Sequence, residues 1–319
     1  MDNSSKGQNK PQFTPGIVLI FSILAVSTAS IMIKFAQVEA PSLVIAFYRM
    51  LVASLVFLTV AGFFFRKEIT HLPYSIVALS SLSGLFLALH FATWITSLEY
   101  SSVTSSAVLV STTPLWVALA SLLLFKENIR KLYWVGLFCA LIGVVIVSLP
   151  FTENSDYLRD KVVKGLPIIN KGSLLALAGA LFGTGYILIG RQIRKTISMP
   201  VYAAVTYTAS TIFLLLMVFY TKASFFGYTS NVFILMIMIG LIPQVIGHSS
   251  YNWALKYISA SVISIALLGE PIGASFQAML FIGETPGINE IIGGALILIG
   301  IYVASIYGIG PGRQQPAAP

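Results

Sequence analysis

The sequence predicts an all-α integral membrane protein of ten transmembrane helices, built as two inverted five-helix repeats. Three observations lead there. The hydrophobic fraction is 57%, the charged fraction 9% and the mean hydropathy +0.89, whereas a soluble domain carries roughly 25% charged residues. Ten apolar runs of spanning length follow one another along the chain. The stretch Tyr100 to Ser148 is repeated, degenerately and without a gap, as Tyr257 to Ser305.

The runs cover residues 16–35, 41–65, 73–97, 102–125, 132–150, 173–190, 200–220, 231–254, 259–282 and 287–307. In hydrocarbon the backbone must satisfy its own hydrogen bonds, so each run is read as a helix. A strand barrel would show short alternating segments, and runs such as Leu141 to Val147 do not alternate. Lys6 and Lys10 precede the first run as in a signal peptide. That run continues to Phe35, however, which is long enough to span a bilayer. It is therefore taken as the first helix. The organisation expected is a disordered tail at 1–15, a first repeat at 16–150, an external linker at 151–172, a second repeat at 173–307 and a disordered tail at 308–319.

The net charge of +8 would suggest nucleic acid in a soluble protein. Here the cations lie between apolar runs and report topology instead. Arg66, Lys67, Lys126, Arg130, Lys131, Arg191, Arg194, Lys195 and Lys256 fall on the same side as both termini. The opposite side holds Lys34 and Lys222, with Arg159, Lys161, Lys164 and Lys171 concentrated in and beside the linker. This bias predicts that both termini are cytoplasmic, and the short loops and lack of a targeting extension make the cell membrane the expected location of the multi-pass chain. Cys139 is the only cysteine and lies within an apolar run, so no intramolecular disulfide is possible.

A slide of 157 residues lays Tyr100 on Tyr257, Ser102 on Ser259, Pro114 on Pro271, Glu127 on Glu284 and Gly136 on Gly293. Leu141-Ile142-Gly143 falls on Leu298-Ile299-Gly300, and Lys34 on Arg191. Five helices per copy is an odd number, so the second copy must cross the membrane in the opposite sense. Inverted repeats are characteristic of carriers that alternate access around a site near the bilayer midplane. A duplicated scaffold with no transport activity remains the rival reading.

With those residues in view, the chain resembles the drug/metabolite transporter superfamily, and within it the EamA-type permeases with two EamA repeats. The resemblance rests on Lys34, Pro41 and Arg49, on Tyr100-Ser101-Ser102, Pro114 and Glu127, and on Gly136 and Gly143. In the second half it rests on Glu270-Pro271, Glu284 and Gly293 to Gly300. Thr206 stands where a match to Arg49 would fall, so Arg49 has no symmetric counterpart. The resemblance implies a ten-helix carrier, often an exporter of amino acids or other small metabolites.

Glu270, placed near the middle of the ninth helix, is the carboxylate expected at membrane depth, where ionisable groups are costly and functional by default. It could bind a substrate ammonium or take up a proton, or it could brace the kink that Pro271 introduces. Pro114 occupies the equivalent point of the fourth helix, and the two prolines are the expected structural hinges. Arg49 could pair with Glu270 or hold a substrate carboxylate through its planar fork, or it could snorkel or cap a helix end. Lys34 is expected to snorkel or to cap a neighbouring helix end.

His90, Thr93 and Trp94 share a face of the third helix, in its outer half on this topology. Gln244, His248, Tyr251 and Asn252 share a face of the eighth helix, in its inner half. They suggest an outer and an inner gate, against the plainer alternative of interfacial anchoring and interhelical hydrogen bonds. Tyr186, Gln277 and Trp116 are further candidates to line the cavity. Gly179 and Gly183 form a GxxxG suited to close packing. Glu127 and Glu284 are expected to accept hydrogen bonds from helix amides.

No metal site is expected, since His90 and His248 lack ligands at coordinating spacing. Neither a P-loop nor a hydrolase or dinucleotide motif occurs. Paired acids or a nucleophile with its base are missing too, so neither a cofactor nor an enzyme activity is expected. The reading is a secondary carrier in the lipid bilayer for a small-molecule substrate. Amino acids or related compounds lead, with proton coupling through Glu270. Organic phosphates or nucleotide-linked metabolites are the alternative, which would need convergent cations.

Overall fold

The computed structural model describes residues 14–125, 131–148, 170–254 and 268–307. All ten expected spans are helical there, and no strand occurs among the described residues. The first span is α1 (Pro15–Ser27) and α2 (Ala29–Ala36), and the second is α3 (Ser42–Phe64). A short α4 (Arg66–Thr70), not foreseen from the sequence, precedes the third span, α5 (Tyr74–Tyr100). The fourth is α6 (Val103–Val110) and α7 (Thr113–Phe125), and the fifth is α8 (Lys131–Ser148). The second half holds α9 (Lys171–Ile193), α10 (Met199–Thr221) and a compound eighth span. That span runs through α11 (Ser230–Ile239), a π-helical segment (Gly240–His248) and α12 (Ser249–Ala254). Two helices end the fold, α13 (Gly269–Ile282) and α14 (Ile288–Tyr307). The expected tails, most of the linker, and Glu127 lie outside the described residues.

Local chemistry sets the helix ends. Ser102 Oγ accepts the Ser105 N–H at 2.9 Å, and Asn170 Oδ1 accepts the Gly172 N–H at 3.0 Å, both capping N-termini. Gly283 stops α13 in the left-handed region at φ 67°, where a residue without Cβ is unstrained. Outward-facing residues such as Ile20, Phe21, Leu24, Leu216, Phe219 and Ile299 are large, apolar and exposed. Such a surface suits lipid rather than water. The protein is a multi-pass membrane protein.

The inverted symmetry is visible where α8 meets α14. A Cβ added at Gly300 would lie 2.5 Å from the Gly136 carbonyl oxygen, and one at Gly143 would lie 2.5 Å from that of Gly293. Gly136 is the repeat equivalent of Gly293, and Gly143 of Gly300. The two contacts are therefore one contact seen twice, as across a two-fold axis. Numbers rise along α8 as they fall along α14, so the helices run antiparallel. Cys139 Sγ reaches the carbonyl of Leu296, its own repeat equivalent, at 3.5 Å. The pseudo-two-fold axis passes beside this pair, and half-buried Cys139 belongs to the interface.

At the end of the bundle far from the amino terminus, the repeats are tied by carboxylates. Glu290 accepts hydrogen bonds from the hydroxyls of Ser102 and Ser105 and, at 2.9 Å, from the Gly287 N–H. Glu284 accepts the Val103 N–H at 2.5 Å. Burial pushes the Glu284 carboxyl above its ordinary value, against the opposing pull of Val103 N–H and Lys34. Lys34 Nζ donates to the Ser101 carbonyl at 3.3 Å, closing the C-terminal end of α5. Glu290→Ala should strand two hydroxyls and an amide. Urea or thermal unfolding in detergent should show a loss of about 2 kcal/mol, and an unchanged midpoint would dismiss the tie.

Candidate functional site

Three of the described spans are interrupted. In the fourth span Pro114 has no N–H to offer the Val110 carbonyl, and the Thr113 hydroxyl takes that carbonyl instead at 2.8 Å. The break falls at Ser111 and Thr112, just before Pro114. In the first span the helix breaks at Thr28, whose hydroxyl donates to Ala25 O at 2.7 Å. The eighth span widens into its π segment around Pro243, an interruption of the kind that recurs at functional sites. The described part of the ninth span begins at Leu268, and Glu270 and Pro271 sit in the first turn of α13; the residues before it, 255–267, lie outside the described residues.

These interruptions touch. A Cβ on Gly247 of the π segment would meet Val26, and one on Gly273 of α13 would lie 2.5 Å from Ser27 Oγ. The Ser27 hydroxyl also donates to the Glu270 carbonyl at 3.3 Å. Irregular backbone at membrane depth is tolerated only inside protein or beside a wet cavity.

Arg49 occupies the centre. It is fully buried on α3, which excludes snorkelling: packing on α5 and the π segment encloses it before it can reach an interface. Its Nε donates to Gln244 Oε1 at 2.9 Å, and its guanidinium lies 4.1 Å from the Phe91 ring centroid and 5.5 Å from that of Trp94. Cation–π contact and a charge-assisted hydrogen bond offset part of the cost of burying the cation. Arg49 also acts electrostatically on Glu270, His90 and His248.

His90 stacks on Trp94, with centroids 6.1 Å apart, and Phe91 meets His248 edge-on at 6.2 Å. His90 and Trp94 of one stripe and Gln244 and His248 of the other thus meet around Phe91 and Arg49, while the side chains of Tyr251 and Asn252 lie outside the described residues. Trp94 is 3% exposed, and its Nε1 has no hydrogen-bond partner among the described residues.

Other candidates lie around this centre. Tyr207, which the sequence reading missed, faces Gln244, Ser249 and Tyr186 with its hydroxyl. Tyr186 in turn stacks on Tyr202 with centroids 6.4 Å apart, and Tyr202 hydrogen-bonds Ser83 at 2.6 Å. Nothing in sequence distinguishes a tyrosine or phenylalanine in an apolar run from core, so Tyr207 and Phe91 carried no signal. Trp116 Nε1 donates to Thr112 Oγ1 at 3.1 Å and braces the fourth-span break. Thr93 bonds back to Leu89 O at 2.8 Å. Gln277 lies two turns along α13 from Glu270. Tyr251 and Asn252 belong to α12, but their side chains lie outside the described residues. A groove of about 730 Å³ between α1 and the eighth span is lined by Ile17, Phe21, Ser249, Ser250 and Trp253. Ser249, which Tyr207 touches, joins this groove to the cluster.

Known proteins agree with this architecture. Residues 14–149 and 170–306 each match the EamA-like transporter family. An uncharacterized transporter of Archaeoglobus fulgidus is 22% identical over 91% of this chain and 96% of its own. Uncharacterized transporter YetK of Bacillus subtilis is 24% identical over 94% and 88%. An uncharacterized transporter of Clostridium kluyveri is 26% identical over 65% of each chain. A solved crystal structure at 17% identity superposes with a TM-score of 0.63, over 91% of this chain and 96% of that one, and shows the same fold. The protein is a membrane transporter rather than an enzyme, and it belongs to the EamA-like transporter family.

Proposed function

We propose that this transporter is an alternating-access secondary carrier that exports or exchanges amino acids or closely related zwitterions. One observation carries the reading: a buried cation, Arg49, is bonded to Gln244 of the π segment, and that segment packs on the break in the first span, where Ser27 bonds the Glu270 backbone. The guanidinium suits a substrate carboxylate and Glu270 a substrate ammonium. Trp94 Nε1 adds a second donor, with no hydrogen-bond partner among the described residues. The two repeats would rock about the α8–α14 axis, exposing this centre to each side in turn. The charge bias supports a plasma-membrane protein with both termini cytoplasmic. An organic-phosphate substrate fits less well. Lys34, the second cation that reading needs, is held at the far end against Ser101 O.

The test is counterflow in proteoliposomes with a panel of labelled amino acids and small amines. Flux of one group is expected, and silence across the panel from folded protein would reject the amino-acid reading. Proton coupling through Glu270 adds a sharper expectation. Glu270→Gln should flatten the pH dependence of net uptake, with counterflow weakened by the lost ammonium contact. A variant with the wild-type pH profile would remove Glu270 from coupling.

A further inference from the structure

His90 is held in a way that fixes what its free edge can do. Its Nδ1 lies 2.8 Å from the Gly179 carbonyl oxygen on α9. A carbonyl only accepts, so Nδ1 must carry a proton, and in the neutral imidazole Nε2 is then a bare acceptor. The contact depends on how closely α9 approaches α5. A Cβ on Gly183 would lie 3.0 Å from His90 Nδ1, and one on Gly179 would lie 3.2 Å from Trp94 Cβ and 3.3 Å from Thr93 Oγ1. The GxxxG that the sequence offered as generic packing therefore has a local consequence, which is to set the ring and its tautomer. Stacking on Trp94 and the edge contact with Phe91, centroids 4.9 Å apart, fix the remaining freedom of the half-buried ring.

Among the described residues the one side-chain hydrogen bond of His90 is that of Nδ1, so Nε2 is left to a ligand that brings N–H of its own.

We propose that His90 is a specificity-determining residue that reads a substrate N–H through Nε2, and that Gly179 and Gly183 position it for this. The inference rests on the amino-acid reading above and narrows it. The carrier should take ammonium-bearing zwitterions and reject quaternary ones of the same shape and charge, because a trimethylammonium group has no N–H to give.

The experiment uses whichever L-amino acid gives the largest counterflow in proteoliposomes, competed by the same amino acid unlabelled or by its N,N,N-trimethyl derivative. Wild type should prefer the ammonium form about thirtyfold, the worth of one hydrogen bond to a charged group. His90→Asn keeps an amide N–H near the Nδ1 position, able to donate to Gly179 O, but lacks the Nε2 acceptor. It should fold normally, bind the amino acid more weakly and lose most of the preference. Gly183→Ala, which crowds the same nitrogen, should weaken the preference in the same direction. Equal competition by both forms in wild type, or an undiminished preference in His90→Asn, would overturn the proposal. No counterflow from wild type with any amino acid would instead reject the function on which it rests, and that result is read before any variant is compared.

Discussion

Arg49→Ala should abolish counterflow while the protein remains folded. The side chain is buried on α3, bonded to Gln244 and stacked over Phe91. If it holds a substrate carboxylate, truncation removes charge-assisted bonds worth about 1.5–3 kcal/mol each, so affinity should fall about 100-fold or more. Arg49→Lys should recover little. An ammonium cannot reproduce the planar fork, nor lie flat over Phe91 while also reaching Gln244. The structural cost points the other way. Removing a cation from the bundle interior relieves desolvation, and Gln244 keeps polar neighbours in Tyr207 and Ser249. Thermal unfolding in detergent together with counterflow separates the two effects. Wild-type flux in Arg49→Ala would remove Arg49 from the site.

Gly300→Leu should fail by the opposite route, losing the fold before the chemistry. Any Cβ there would stand 2.5 Å from the Gly136 carbonyl oxygen and 2.7 Å from the Ala140 amide nitrogen. Both are backbone, so neither can swing aside. Overpacking a tight interface costs about 1–3 kcal/mol, and more where backbone must separate. Gly143→Leu meets the equivalent obstacle at Gly293 and should cost as much, because the pseudo-two-fold axis makes the two sites copies. Monodispersity on size exclusion and thermal unfolding check both, with Gly62→Ala as control, since nothing lies within 4 Å of a Cβ there. Unequal losses at Gly143 and Gly300 would argue against the symmetric interface.

Much of this was legible in the chain itself. The need to satisfy backbone groups in hydrocarbon turns apolar runs into helices. An odd number of spans per repeat turns a sequence duplication into an inverted one. Those two arguments yielded the ten helices, the two repeats and their opposite sense. The candidate site was only partly readable. Arg49, Glu270, His90, Trp94, Gln244 and His248 stood out because polar groups are scarce in such runs. Phe91, which packs on Arg49, and Tyr207, which meets Gln244, did not stand out, since an aromatic residue in an apolar run looks the same whether it faces lipid, core or substrate.

What the sequence alone determined, then, was each segment's state and the symmetry relating the segments, because both follow from local composition and counting. What only the tertiary structure decided was depth and juxtaposition. The π segment around Pro243 and the breaks at Thr28 and Ser111–Thr112 change rise and rotation along their spans, so side chains assigned to opposite ends meet at Arg49. The α9–α5 approach at Gly179 and Gly183 likewise fixes which edge of His90 is left to a ligand. Such placements depend on contacts between segments far apart in the chain, and no periodicity within one segment encodes them.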